Sequence, residues 1–135
     1  MNHKPPLTGS LPVTLSTIED ASRRIANIAY RTPLYFSPRL SALTNANVYL
    51  KLENYQPIRV FKIRGAANKI LKLSAEELKC GLIAASSGNH GLAVSYMAKI
   101  VGTEATIVVP TSAVVEKGQR NRRIRSESGK ARLIS

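Results

Sequence analysis

The sequence has very few residues of the kinds that cross-link a chain or bind metal ions. Of its 135 residues, one is cysteine and two are histidine. The single Cys80 excludes an internal disulfide, and His3 and His90 alone do not form a metal-ligand cluster. The sequence therefore predicts neither a disulfide scaffold nor a metal site.

Long apolar runs are also missing. No segment has the length needed to cross a membrane, and residues 1–15 carry prolines and polar residues without the apolar centre of a signal peptide. We therefore expect a cytoplasmic protein with no membrane partner, and we interpret residues 1–15 as a flexible arm. A length of 135 residues permits one domain with a sizeable core, and the 44% hydrophobic content is near the norm for a globular protein.

Acidic residues are scarce, with 8 against 20 lysines and arginines, which gives a formal net charge of +12. A basic chain can bind nucleic acid, and the arginines of residues 120–125 could contact phosphates. The excess is dispersed, however, because residues 116–135 hold seven basic and two acidic side chains and the rest of the chain holds thirteen and six. No recognised nucleic-acid motif accompanies it, and only 5% of residues are aromatic. A nucleic-acid partner is therefore the weakest alternative.

Helical and strand patterns alternate along the chain. This alternation predicts the α/β class, with a parallel sheet covered by helices. Helices are predicted over 17–30, with a cap at Thr17, over 61–73, over a short segment capped by Ser74 and ended by Gly81, and over 89–101; strands are predicted over 48–53, 82–85 as a buried strand, 105–109 and 131–134.

Lys62 follows Phe61 at the start of an apolar helix pattern. A lysine held against apolar surface loses hydration, its pKa falls, and the neutral amine can condense with an aldehyde. The predicted neighbours are apolar: Phe61, Ile63, Ala66, Ala67, Ile70 and Leu73. The alternative is one more solvated lysine on an amphipathic helix.

A second segment, Ser86-Ser-Gly-Asn-His90, lies where a strand pattern gives way to a helix pattern. Free backbone N–H groups and the positive end of the helix dipole favour a carboxylate or phosphate there. Gly88 allows the chain to approach a ligand closely. The alternative is an ordinary turn in which serine and asparagine cap the helix.

These residues together resemble the pyridoxal-phosphate enzymes of fold type II, in the group of threonine and serine dehydratases (ammonia-lyases) and serine racemase. The group's usual pattern is Lys-Leu-Glu-Asn, then Gln-Pro-Thr-Gly-Ser-Phe-Lys-Ile-Arg-Gly-Ala, then Ser-x-Gly-Asn-His. The corresponding runs here are Arg31-Thr-Pro-Leu34, Lys51-Leu-Glu-Asn54, Gln56-Pro57, Phe61-Lys-Ile-Arg-Gly-Ala66 and Ser86-Ser-Gly-Asn-His90. The resemblance covers about residues 17–110.

The resemblance implies roles for these residues. Lys62 would form the Schiff base with pyridoxal 5'-phosphate and move the substrate's α-proton, while Phe61 would pack beside the cofactor ring. Asn89 would bond the cofactor's 3-hydroxyl group. The loop that receives the substrate carboxylate would consist of Ser86, Ser87, Gly88, Asn89 and His90. The implied reaction is β-elimination from threonine or serine, a small hydroxy amino acid, which gives a 2-oxo acid and ammonia.

Ser87 offers an alternative within the same cofactor class. Many dehydratases of the group have alanine at this place. A serine there resembles the racemase, in which that hydroxyl group is the base on the opposite face of the cofactor. Serine racemisation is therefore a weaker alternative to elimination.

Three departures from the group's pattern bear on catalysis. Ile58-Arg59-Val60 stands where the group has Thr-Gly-Ser, so a flexible glycine and a capping serine are missing. The basic segment 116–135 stands where the group has an apolar-faced helix, and we expect it to pack poorly. No glycine-rich phosphate cradle is present, and members of the group are more than twice as long.

The expected organisation follows from this comparison. Residues 1–46 form an arm and helices that in the group pack on the large domain. Residues 47–135 form a partial cofactor-binding small domain with an atypical basic tail over 116–135. The fold is then the parallel-sheet αβα small domain of fold type II, without the large domain. A non-catalytic remnant is the main alternative, and its exposed apolar surface would favour a homo-oligomer or other association.

Overall fold

The computed structural model of the chain describes residues 13–110 and 131–134, with side chains over residues 13–110. It confirms the α/β class, with a parallel sheet and packed helices. The elements are α1 (Leu15–Arg24), β1 (Leu34–Phe36), α2 (Pro38–Thr44), β2 (Tyr49–Lys51), a 3-10 turn (Glu53–Tyr55), α3 (Lys62–Ile70), α4 (Ala75–Lys79), β3 (Leu82–Ala85), α5 (Asn89–Val101), β4 (Ala105–Val108) and β5 (Ala131–Ile134).

Helix α1 begins earlier and ends earlier than predicted. The Thr14 hydroxyl group accepts a hydrogen bond from the Thr17 N–H at 3.3 Å, and the Thr17 hydroxyl group accepts one from the Thr14 N–H at 2.9 Å. This is a capping box in which threonine takes the place usually held by glutamate or glutamine. The prediction that Thr17 is the cap is therefore wrong, and residues 25–28 form turns instead of continuing the helix.

Strand β2 confirms part of the strand predicted over 48–53, but it does not join the parallel sheet. It pairs antiparallel with β1, with Leu34 opposite Lys51 and Phe36 opposite Tyr49. The Phe36 and Tyr49 rings pack with their centroids 5.3 Å apart. Strand β1 was not predicted because its three residues are all exposed, so it has no apolar alternation.

The parallel sheet has the order β3, β4, β5, with Leu82 opposite Ala105 and Ala105 opposite Ala131. Helix α5 connects β3 to β4 and packs on the face that carries Ile107. The predicted strands over 82–85, 105–109 and 131–134 are confirmed. The interpretation of 82–85 as a buried strand is wrong, because β3 lies at an edge of the described sheet and Ile83 is 76% exposed on the face away from α5.

The core forms mainly between α3 and α5, together with the inner face of the sheet. The helix predicted over 61–73 is found as α3 over the shorter range 62–70, and its buried residues are Ile63, Ala66, Ala67 and Ile70. Helix α5 is confirmed over 89–101. The other buried apolar residues of the core are Ile25, Ala29, Ile58, Leu92, Ala93, Val94, Met97, Ala98, Ala105, Ile107 and Val109.

Short turns set the spacing of these elements. The predicted cap of α4 is confirmed, since the Ser74 hydroxyl group accepts from the Glu77 N–H and the Glu77 carboxylate accepts from the Ser74 N–H. Gly81 and Gly102 both have positive φ angles, 79° and 75°, which glycine adopts without strain. These two glycines lead into β3 and out of α5.

Part of the predicted organisation concerns residues that the structure does not describe. Residues 1–12 of the arm predicted over 1–15 and most of the basic segment 116–135 lie outside the described residues, whereas Leu15 begins α1 and is not part of an arm. The division at residue 46 remains a prediction. Among the described helices, none has the length and apolarity to cross a bilayer.

Candidate functional site

The segment Ser86 to Asn89 forms the turn between β3 and α5. The Ser86 N–H donates to the Val108 carbonyl oxygen at 2.9 Å, which ties the start of the turn to the neighbouring strand. The Gly88 N–H donates to the Ser86 hydroxyl oxygen at 3.2 Å. Ser86, Ser87 and Gly88 are half-buried, whereas Asn89 and His90 are exposed. The structure thus brings five of the predicted site residues together in one turn.

Backbone donors are available at this turn. Helix α5 begins at Asn89, its N-cap is Gly88, and no side chain caps it. None of the backbone hydrogen bonds between described residues uses the N–H groups of Asn89, His90 or Gly91. The positive end of a 13-residue helix lies behind them, so this end of the helix suits an anionic group.

Two glycines shape the turn in different ways. A side chain at Gly91 would place its Cβ 2.9 Å from the Ser86 carbonyl oxygen and 3.0 Å from Ile107 Cγ2. The helix can therefore lie this close to the strand only because residue 91 has no side chain. At Gly88, by contrast, an added Cβ would meet nothing within 4 Å. The side of the turn at Gly88 is open, as a ligand approaching the backbone requires.

Lys62 is the first residue of α3, and its side chain is exposed. Its Nζ atom lies 4.8 Å from the centroid of the Phe61 ring, which is itself 55% exposed. The expectation that apolar neighbours shield the amine is wrong here, because the Lys62 side chain is exposed whereas Ile63, Ala66 and Ile70 are buried in the core.

Lys62 and the turn lie on elements that pack together, since α3 contacts α5. No hydrogen bond or ion pair between described residues joins Lys62 to residues 86–90. The roles of Lys62, Phe61 and Asn89 toward the cofactor remain predictions. Helix α3 supplies the amine, and helix α5 supplies the backbone donors.

A network of hydrogen bonds around Glu53 and Arg64 joins segments on both sides of Lys62, and it was not predicted from the sequence. Arg64 Nε and Nη2 donate to the two carboxylate oxygens of Glu53 at 3.0 and 2.8 Å. The Thr32 hydroxyl group donates to Glu53 at 2.6 Å. Hydrogen bonding from Arg64, with help from Thr32 and Gln56, outweighs desolvation and lowers the pKa of Glu53 to about 2.

Gln56 connects this network to the segment before β1. Its amide oxygen accepts from the Tyr30 N–H, and its amide nitrogen donates to the Tyr30 carbonyl oxygen, both at 2.9 Å. Arg64 Nη2 also donates to the Tyr30 carbonyl oxygen at 2.9 Å. The signal for this network was present in the sequence, in the runs Lys51-Leu-Glu-Asn54, Gln56-Pro57 and Phe61-Lys-Ile-Arg-Gly-Ala66.

The segment Ile58-Arg59-Val60 stands where the resemblance implies Thr-Gly-Ser, so it lacks the glycine and the capping serine of that pattern. Arg59 has a φ angle of 57°, in the left-handed region where glycine is favoured. Helix α3 has no side-chain cap, since Val60 supplies no hydroxyl group and Phe61 stands at the N-cap. Ile58 is buried and anchors the segment in the core.

Two cavities are lined by neither Lys62 nor residues 86–90. One of about 440 Å³ is lined by residues that precede β3 and β4, at the opposite end of the sheet from the Ser86 turn: Leu78, Lys79, Cys80, Gly81, Thr103 and Glu104 among others. Another of about 430 Å³ lies between α1 and the Glu53 network and is lined in part by Arg31, Lys51 and Arg64. Among the described residues, no group of three or more potential metal ligands occurs.

The fold and the two motifs define an enzyme class. The family model described as "Pyridoxal-phosphate dependent enzyme" matches residues 25–128, which is most of the chain, and the chain belongs to that family. The fold-type II assignment is confirmed by the same match and by solved structures.

Particular relatives narrow the likeness. Over 112 residues the chain is 46% identical to the L-threonine ammonia-lyase of Thermotoga maritima. A crystal structure of the T.th. threonine deaminase superposes with a TM-score of 0.74 at 34% identity, covering 91% of this chain and 37% of that one. Maize serine racemase gives a TM-score of 0.68 at 33% identity, covering 90% and 43%.

These matches involve only part of each relative. The chain aligns along 83% of its own length but spans 28% of the Thermotoga protein. The relatives therefore show the family to which this chain belongs and the part of each relative to which it corresponds.

Proposed function

We propose that this chain carries the lysine-bearing part of a pyridoxal-phosphate-dependent ammonia-lyase that acts on threonine or serine. The single observation that supports this most is the free helix terminus at Asn89, because it offers backbone donors to a carboxylate within a family-specific motif. The named relatives support threonine as the first substrate to test. A cytoplasmic location, in accord with the sequence, is part of the proposal.

The residues present fit the cofactor in two respects. The Lys62 amine is exposed and makes no hydrogen bond or ion pair with another described residue, so it is available to a carbonyl compound. The open side of Gly88 leaves room beside the turn. When bound, the cofactor supplies an electron sink that stabilises negative charge at the substrate α-carbon.

The chain's own residues would then divide the work. Lys62 would hold the cofactor covalently and, once the substrate amine has displaced it, would take the α-proton as a free amine, while the Phe61 ring would pack beside the cofactor. The backbone N–H groups of the Ser86 turn, with the Ser86 and Ser87 hydroxyl groups, orient the substrate carboxylate. Asn89 bonds the cofactor's 3-hydroxyl group. His90 completes the turn from the exposed side.

The covalent assignment is tested by trapping. The chain is incubated with pyridoxal phosphate, reduced with borohydride, and digested so that mass spectrometry locates the modified lysines. We expect Lys62 to be modified at least several-fold more than Lys69, which is exposed on the same helix. Equal modification of the two lysines would contradict the proposal. Lys62→Ala should abolish the selective product, whereas Lys69→Ala should leave it unchanged.

The reaction is tested separately by measuring 2-oxo acid formed from threonine and from serine. Ser87 favours a second candidate, serine racemisation, because its hydroxyl group lies half-buried in the same turn. D-serine formation that is lost in Ser87→Ala, with elimination retained, would support racemisation.

Trapping at Lys62 without turnover would instead support the non-catalytic alternative. A homo-oligomer formed through exposed apolar surface would appear as a concentration-dependent mass.

A further inference from the structure

The loop that carries Lys62 is tied at both ends by one ion pair. Glu53 belongs to the 3-10 turn after β2, and Arg64 belongs to the first turn of α3, two residues beyond Lys62. The guanidinium group binds both carboxylate oxygens, a bidentate geometry that fixes direction as well as distance. Residues 54–63 are therefore enclosed in a loop closed by the two side chains.

This ion pair is unlike the others between described residues. The side chains of Glu53 and Arg64 are 20% and 34% exposed, whereas those of Glu76 and Lys79 are 80% and 71% exposed. Glu53 accepts further hydrogen bonds from Thr32 and Gln56, and Gln56 is buried. A partly buried, multiply bonded carboxylate holds its partners more firmly than an exposed pair does.

Apart from buried Ile58 and Ile63, the described part of the chain offers little else that fixes the start of α3. No side chain caps the helix, and Arg59 has a left-handed backbone conformation that costs free energy for a residue other than glycine. The Lys62 side chain is exposed, so packing does not fix it either. The backbone at Lys62 is held by buried Ile63 and by Arg64 on its carboxyl side.

We propose that Glu53 and Arg64 are positioning residues, which hold the first turn of α3 so that the exposed Lys62 amine is presented in one place to its carbonyl partner. This inference rests on the proposed function of Lys62. It predicts that the Glu53–Arg64 clamp sets the reactivity of Lys62 without contacting the reacting atoms. Packing alone would predict no such coupling.

The test compares Glu53→Gln and Arg64→Lys with the matched surface variant Glu76→Gln. Glu53→Gln keeps the size of the side chain and removes its charge, and Arg64→Lys keeps the charge and removes the bidentate geometry. Hydrogen exchange of the amides in residues 61–66 is measured in the free chain. We expect exchange there to rise at least threefold in both clamp variants and to be unchanged in Glu76→Gln.

The second measurement is the ratio of trapped pyridoxal phosphate on Lys62 to that on Lys69, in the full chain. We expect both clamp variants to lower this ratio at least threefold, while Glu76→Gln leaves it at the wild-type value. Circular dichroism identifies any variant that loses the fold, and in that case Arg64→Lys, the milder change, decides.

The two proposals fail in different ways. Unchanged exchange at residues 61–66 in folded clamp variants would overturn the positioning role. The positioning role would also be overturned if exchange rises in the clamp variants while the ratio of trapped pyridoxal phosphate on Lys62 to that on Lys69 stays at a selective wild-type value. A wild-type ratio near one would overturn the covalent role of Lys62 and, with it, the functional part of this inference, even if the exchange result shows that the clamp holds the helix.

Discussion

Gly91 lies against Ser86 at a distance that leaves no room for a side chain. A methyl group on Gly91 would stand 2.9 Å from the Ser86 carbonyl oxygen and 3.0 Å from Ile107 Cγ2. Ile107 is fully buried, and the carbonyl group belongs to the backbone, so neither can move aside easily. The position of the Ser86 turn relative to the sheet therefore depends on this glycine.

We expect Gly91→Ala to lower the free energy of unfolding by about 1–3 kcal/mol, since overpacking outweighs the better helix propensity of alanine. Urea unfolding followed by circular dichroism measures the change. Gly65→Ala is the matched control, because its Cβ would meet nothing within 4 Å in a helix. It should raise stability by about 1 kcal/mol. Equal effects of the two substitutions would contradict the close contact.

Arg59 is predicted to strain the loop before Lys62. Its φ angle is 57°, so Arg59→Gly should raise the free energy of unfolding by up to about 1 kcal/mol, because glycine removes the left-handed cost but adds entropy to the unfolded chain. Arg59→Ala should give no such gain, since alanine has the same backbone restriction. Thermal unfolding of the three proteins is the measurement. A gain in the alanine variant would assign the effect to the arginine side chain instead.

The sequence predicted the later part of the fold well because its signals are local. Ser74 and Glu77 form the expected cap, α5 ends at Val101 as predicted, and the strand predicted over 105–109 is found over 105–108. The early part was harder. Strand β1 has three exposed residues, and the cap of α1 uses threonine in an unusual place.

The candidate site was predictable as a set of residues but not as a geometry. The motif located the turn at Ser86 correctly, because strand, glycine and helix signals follow each other within a few residues. The sequence left the exposure of Lys62 open, since helical spacing places Ala66 on the same face as Lys62 but does not show how far the core extends toward the start of the helix. The bonds from Arg64 to Glu53 and Tyr30 were missed because they join segments 11 and 34 residues apart.

Ser95 is predicted to destabilise the core. It is fully buried on α5, and its hydroxyl group has no hydrogen-bond partner among the described residues. Ser95→Ala should therefore raise the free energy of unfolding by about 1 kcal/mol. The control is Ser41→Ala, because the Ser41 hydroxyl group accepts from the Val48 N–H at 2.9 Å, and its loss should cost about 1 kcal/mol. Destabilisation by Ser95→Ala would indicate an undetected partner.

Glu53 should make the stability of the chain depend on acid pH. Its pKa falls from 4.5 to about 2 on folding, so its ionised form stabilises the folded state fully above pH 4.5, and this contribution is lost as the pH falls toward 2. Because both partners are partly open to water, we expect a contribution of about 1–3 kcal/mol, less than the full shift would give. The free energy of unfolding, measured from pH 7 to pH 2, reports it.

In Glu53→Gln the charge is absent at every pH. The free energy of unfolding of wild type should therefore exceed that of the variant by about 1–3 kcal/mol near pH 6, and the two values should converge near pH 2. Glu76→Gln should differ from wild type by only a few tenths of a kcal/mol near pH 6, because its exposed pair with Lys79 is screened by water. A wild-type advantage over Glu53→Gln that stays constant down to pH 2 would show that the carboxylate acts through shape and not through its charge. A difference in the free energy of unfolding that narrows between pH 6 and pH 2 would show that the hydrogen bonds from Arg64 depend on ionisation of Glu53. The positioning role of the Glu53–Arg64 clamp requires this dependence.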